Sequence, residues 1–155
     1  MGGKGAENMD LIDVKILSLL EKNARTPLKK IAEQVFLSAP AVSARIERLE
    51  KSGIIAGYRA VVDSRKLGYH IAAFVNVVLS PERQKPFFSF IEGCKNVTEC
   101  YHVAGPYSML LKVSFPDTQQ LDSFVAKVQK FGKTQTQIVF STVVGPREVE
   151  FSVQK

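Results

Sequence analysis

The 155-residue chain contains no tryptophan, only two cysteines and no long uninterrupted apolar run. Cys94 and Cys100 are too few for a disulfide framework, so in a reducing compartment they are expected to be small buried thiols. The most apolar stretch, Ile71 to Leu79, is broken by Asn76 and falls far short of the roughly 20 residues a spanning helix needs, which argues against a membrane protein. The opening MGGKGAENMD has neither the apolar core nor the small-residue cleavage site of a secretory signal, and a cytoplasmic location is expected. The chain also lacks a Ser-His-Asp order, a phosphate-cradling glycine loop and a close carboxylate pair. No catalytic residue and no cofactor are therefore predicted. Cys94, Cys100 and His102 approach a zinc set only in residue type. Their spacing is poor and a fourth ligand is missing, so no metal site is predicted.

What is present is ordinary core material, 45% hydrophobic residues, and a net charge of +6. The charge is uneven: Met9 to Gly68 carries 11 basic and 7 acidic side chains, Tyr69 to Lys155 carries 9 and 7. The excess favours a polyanionic partner for the first half.

In that half, Leu11, Val14, Leu17 and Leu20, with Ile12 and Ile16 beside them, recur at the spacing of an amphipathic helix, with Asp10 as its N-cap. Leu28, Ile31, Ala32 and Val35 mark a second helix, with Pro27 in its first turn. Ser38 caps a third, built on Val42, Ile46 and Leu49 and ended by Gly53. Three helices, the last two joined by a short turn, describe a helix-turn-helix. Ile54 to Val62 reads as a short extended wing or linker. The domains predicted are 9–63, the helix-turn-helix, and 69–155.

The second half reads as a strand (Ile71 to Leu79) and a helix (near Pro81 to Gly93) whose buried side is Phe87, Phe88, Phe90 and Ile91. A hairpin follows, Val97 to Ala104 and Tyr107 to Phe115 around Gly105-Pro106. A helix capped by Asp117 and stopped by Gly132 comes next, then a strand (Thr136 to Val144) and a short terminal strand (Glu148 to Val153). The order βαββαβ implies a ferredoxin-like sheet with both helices on one face, and an α+β fold overall. The other face, expected to be lined by β-branched residues, needs cover, for which a second copy of the chain is inferred. Phe87, Phe88, Phe90, Phe115, Phe124 and Phe140 are expected in the core.

Winding the third helix at about 100° per residue sets Val42, Ile46 and Leu49 inward and Ala41, Ala44 and Arg48 outward, with Arg45 on one flank and Ser43 on the other. A helix entering a major groove needs small residues where its backbone approaches the bases and long cations that reach base edges or phosphates. Ala41, Ser43, Ala44, Arg45 and Arg48 fit that need. Ser38 and the first-turn amides can meet a phosphate. Arg25, Lys29, Lys30 and Arg59 lie where a second helix and a wing would cross the DNA backbone, supplying sequence-blind affinity.

The run LSAPAVSARIERLEKSGII followed by GYRAVVD, together with ECYHVAGPYSMLLK, resembles the Lrp/AsnC (feast/famine) family of transcriptional regulators over nearly the whole chain. The resemblance implies a winged-type helix-turn-helix followed by a ferredoxin-like sensing and oligomerisation domain. It implies double-stranded DNA as partner, assembly to a homodimer and further, often to an octamer, and a small-molecule effector such as an amino acid. Effector contacts are implied at Gly105, Pro106, Tyr107, Ser108 and Thr142. The hairpin departs from the family: Gly-Asp (or Asn)-aromatic-Asp is usual, and Gly105-Pro106-Tyr107-Ser108 stands here. Both acidic positions are lost, and with them the natural partner of an ammonium group, so the effector is expected to differ, to bind weakly or to be absent. Two other classes share the layout or its helices. A sirohaem-decarboxylase-like enzyme is disfavoured by the missing histidine and asparagine pattern in GPYSMLL, and a low-specificity DNA-compacting protein would differ in its specificity ratio.

Overall fold

The computed structural model describes residues 9–147. The predicted terminal strand Glu148 to Val153 lies outside them. The described chain divides into two compact units, one up to Val61 and one over Val62–Gly145. Among the described residues no helix is long and apolar enough to cross a membrane.

The first unit is three helices, α1 (Leu11–Lys22), α2 (Leu28–Val35) and α3 (Ala39–Lys51). A capping box starts α1: the Asp13 amide donates to Asp10 Oδ1 at 2.8 Å and the Asp10 amide to Asp13 Oδ2 at 3.1 Å, satisfying two otherwise orphaned donors. Its inward stripe is Asp13, Ile16, Leu17 and Leu20. Leu11, expected on that stripe, is exposed, because Asp13 takes the inward place in the first turn. Ile31, Ala32 and Val35 of α2 and Val42 and Leu49 of α3 complete the core. The Ala41 amide donates to Ser38 Oγ at 3.3 Å, which makes Ser38 the N-cap of α3.

Between α2 and α3 the chain turns at Phe36, whose φ of 57° is the only left-handed non-glycine backbone among the described residues. A side chain in this region is crowded by its own carbonyl, at a cost of about 1–2 kcal/mol. The ring gains nothing in return by burial, being 92% exposed. Phe36→Gly should therefore stabilise the helical unit by about 0.5–1 kcal/mol, once glycine's extra unfolded-state entropy is deducted. A thermal melt of the full chain reads this as an upward shift of the helical transition.

The second unit is β1 (Ile71–Val78), α4 (Gln84–Glu92), β2 (Val97–His102), β3 (Met109–Phe115), α5 (Thr118–Val128) and β4 (Lys133–Ile138). The sheet order is β2-β3-β1-β4, with every neighbouring pair antiparallel. Both helices cover the face carrying Ala73, Val75, Val77, Met109, Leu111, Val113 and Phe115, into which Phe87, Ile91, Leu121, Phe124 and Val128 pack. Phe115 and Phe124 meet at 5.3 Å between ring centres, and Phe87 meets Phe131 edge-on at 5.6 Å.

Three expectations need correction here. Phe88 and Phe140 are exposed, 39% and 93%; only Phe87 and Ile91 of α4 are fully buried, and Phe140 follows the end of β4. β4 itself begins three residues earlier than Thr136 and ends at Ile138. It pairs with β1 from Val78↔Lys133 to Ala73↔Ile138; the Val139 amide then donates to Ala72 O at 2.8 Å, and the ladder stops there, one residue short of the start of β1 at Ile71. Finally, the open face is not lined mainly by β-branched residues, Val78 being the one that the register places there. Alternation sends Val75, Val77 and Val113 under the helices and leaves Phe74, Asn76, Val78, Leu110 and Lys112 outside, beside Glu99, Tyr101, Gln135 and Gln137 in register. Lys112 Nζ donates to Glu99 at 2.7 Å across this face.

Candidate nucleic-acid interface

The outer surface of α3 follows from its start. Ser38 fixes the first turn, and Val42, Ile46 and Leu49 fix the rotation by facing the core. Pro40, Ala44, Glu47, Arg48 and Lys51 are then exposed, while Ala41, Ser43 and Arg45 are half-buried. Small residues thus lie beside cations along one exposed stripe. Lys29 and Lys30 are exposed in the first turn of α2, as is Arg25 before it. Glu47 meets Lys51 only loosely, at 3.9 Å.

Arg45 does not lie free on a flank. Its Nη1 donates to Asp10 Oδ2 at 2.7 Å and to Asp13 Oδ1 at 2.8 Å, and Arg48 Nη2 donates to Asp13 Oδ2 at 2.5 Å. Asp13 is fully buried, whereas the side chains of Arg45 and Arg48 are 26% and 51% exposed. A buried carboxylate is tolerated only when paired and hydrogen-bonded, and this one receives both guanidinium groups. The Asp13 amide and then the Arg45 guanidinium hold the Asp10 carboxyl below its usual range, and the two carboxylates push Arg45 up. Two carboxylates against two guanidiniums leave this flank of α3 neutral overall. Sequence reasoning missed Asp13. The available signal was its place in the inward series 13, 16, 17 and 20.

Arg59 is exposed, but the segment around it forms no ladder among the described residues, so the predicted extended wing is not a paired strand. It is tied to α3 next door: the Tyr58 hydroxyl donates to Glu50 Oε1 at 2.7 Å, and partial burial with that carboxylate raises the phenol to about 12.

In the second unit the hairpin residues are already engaged. The Ser108 amide donates to Val77 O at 2.9 Å. Its Oγ accepts from the Leu79 amide at 3.0 Å and donates to Leu79 O at 3.3 Å. The Tyr107 hydroxyl donates to Gln135 Oε1. Ser108 therefore straps the hairpin to the end of β1. Gly105 (φ 126°) and Pro106 are exposed at the tip, and Thr142 is exposed beyond β4 with no hydrogen bond to the hairpin. The structure unites Tyr107 with β4 and Ser108 with the end of β1. Of the thiols, Cys94 is half-buried and donates to Phe90 O at 3.2 Å. Cys100, expected to be buried, is exposed because β2 is the edge strand of the sheet.

A capped helix-turn-helix with an exposed small-and-cationic stripe, followed by a βαββαβ unit, defines a two-domain DNA-binding protein. The winged helix-turn-helix DNA-binding family matches residues 9–56, and the Lrp/AsnC ligand binding domain matches residues 72–149. The HTH-type transcriptional regulator LrpA of Bacillus subtilis is 39% identical over 132 residues, 84% of this chain and 97% of that protein. The solved structure of Bacillus subtilis LrpC superposes with a TM-score of 0.84 at 29% identity, covering 90% of this chain and 99% of that one. A Neisseria meningitidis transcriptional regulator in complex with L-Met shares the fold with a TM-score of 0.84 at 24% identity, covering 89% and 94%. The chain belongs to the Lrp/AsnC family, as its residues had implied.

Proposed function

We propose that this protein regulates transcription by binding specific duplex sites, with paired copies of α3 entering major grooves about one helical turn apart. The observation that carries the reading is the exposed stripe of Pro40, Ala44, Arg48 and Lys51 behind the Ser38 cap, flanked by Lys29 and Lys30. Within this reading Ala44 and Arg48 face the bases and Ala41 and Ser43 border them. Ser38, Lys29, Lys30 and Arg59 meet phosphates, and Arg45 acts from behind α3. No catalytic role is assigned. Residues 9–63 are the reading domain and 69–155 the oligomerisation and effector domain. Copies join over the open face around Phe74 and Leu110 to form a dimer, which assembles further to an octamer in the cytoplasm.

A small-molecule effector such as an amino acid would bind at the hairpin, Gly105 to Ser108 and Thr142, and shift the assembly equilibrium. Ser108 is already spent on β1, and Pro106 offers no N–H, so affinity for an ordinary amino acid should be weak.

The deciding experiment enriches duplexes from a random pool and measures affinity across a salt series. A reproducible enriched sequence is expected; equal affinity for enriched and scrambled duplexes would instead mark a DNA-compacting protein. Lys29→Ala with Lys30→Ala should weaken both duplexes alike and flatten the slope of log affinity against log salt by about 2.

A further inference from the structure

Resting on the reading of α3 as the groove helix, we infer that Asp13 is a positioning residue for sequence recognition: from inside the helical unit it holds Arg48 at the angle at which that guanidinium meets a base pair. Asp13 is fully buried and receives Arg48 Nη2 at 2.5 Å, while half of the Arg48 side chain stays exposed. Only one of the five donors of the guanidinium is spent, and the others remain for a guanine edge, the acceptor pair that arginine fits best. Arg45 is the anchor of the arrangement. Its Nη1 bridges Asp10 and Asp13, and only a quarter of its side chain is exposed. With two carboxylates facing two guanidiniums, Arg48 brings geometry to the duplex rather than net charge. Sequence-blind affinity must come from Lys29, Lys30 and Arg59 instead.

Neutrality makes the role separable from simple structural support. Asp13→Asn removes the one ion-pair partner of Arg48, leaves Arg45 paired with Asp10, and uncovers one positive charge. It should raise affinity for a scrambled duplex and steepen the salt slope by about 1. At the same time it should reduce the ratio of enriched to scrambled affinity about tenfold, the scale of one lost bidentate base contact. Arg48→Lys keeps both the charge and a partner for Asp13. Its salt slope should match the wild type while the ratio falls by a similar factor. Both variants are measured as full-length protein at fixed salt, with far-UV circular dichroism confirming the helices.

If Asp13 were only structural, both duplexes would weaken together and the ratio would hold; that result, or an unchanged ratio in Arg48→Lys, overturns the inference. Should Asp13→Asn fail to fold, Arg48→Lys and Asp10→Asn decide. The latter keeps an N-cap of equal quality and loosens only Arg45, so its ratio should fall less than that of Arg48→Lys; a larger fall counts against the assignment. Failure of the wild-type protein to enrich any sequence defeats the groove reading itself, which is a distinct outcome.

Discussion

Gly132→Ala should unfold or severely weaken the second unit while leaving the helical unit intact. A methyl group built on Gly132 would stand 1.9 Å from the Val78 carbonyl oxygen and 3.0 Å from its carbon. Both atoms are backbone, and Val78 opens the β1–β4 ladder opposite Lys133. No side-chain rotation relieves the clash; the end of β1 must move, and Leu79 with it. Leu79 is buried and its amide is held by Ser108, so the displacement reaches the hairpin strap as well. Overpacking against flexible neighbours costs about 1–3 kcal/mol; against a sheet carbonyl the cost should be about 3 kcal/mol or more. Urea denaturation of the full chain, followed by circular dichroism, would show the sheet transition moving to lower urea. A variant with wild-type stability would mean that α5 can slide away from β1, contrary to the packing seen.

The glycine's importance was legible in the sequence only as a helix stop, since a close approach between distant segments leaves no local signature. The helices were legible because three- and four-residue spacing and the caps Asp10, Ser38 and Gly53 are local properties. β4 was misplaced for a related reason. KTQTQI carries almost no apolar alternation, whereas the VFSTVV that follows looks like a strand, yet it is KTQTQI that pairs with β1, from Val78 back to Ala73. The alternation phase misled the description of the open face in the same way. Val75 and Val77 of β1 went to the helix side because with Ala73 they form a series that α4 and α5 can cover.

The interface shows the limit most clearly. A helical wheel ranks residues by polarity and so sends a carboxylate to solvent. It has no means of knowing that Arg45 and Arg48, some 32 and 35 positions away along the chain, supply the partners that let Asp13 go inside. The outward stripe was legible from α3 alone. What holds two of its cations was not, because that belongs to the packing of α1 against α3.

Arg45→Ala is accordingly expected to act on stability before it acts on DNA. Removing the guanidinium leaves Asp13, which has no exposed surface, with Arg48 as its one remaining ion-pair partner beside the Asp10 amide, and strips Asp10 of its one ion pair. Breaking a fully buried pair costs about 3–5 kcal/mol. Arg45 is a quarter exposed and Arg48 remains, which lowers the expectation to about 2–3 kcal/mol. Loss of DNA binding in this variant would then follow from a loosened helical unit and would not identify Arg45 as a base reader. A double-mutant cycle separates the two. Arg45→Met combined with Asp13→Leu removes the buried charge together with its partner, and should cost less than the sum of the two single changes by about 1–2 kcal/mol. Differential scanning calorimetry on the four proteins reads the coupling directly, and strict additivity would show that the network contributes nothing to holding α1 on α3.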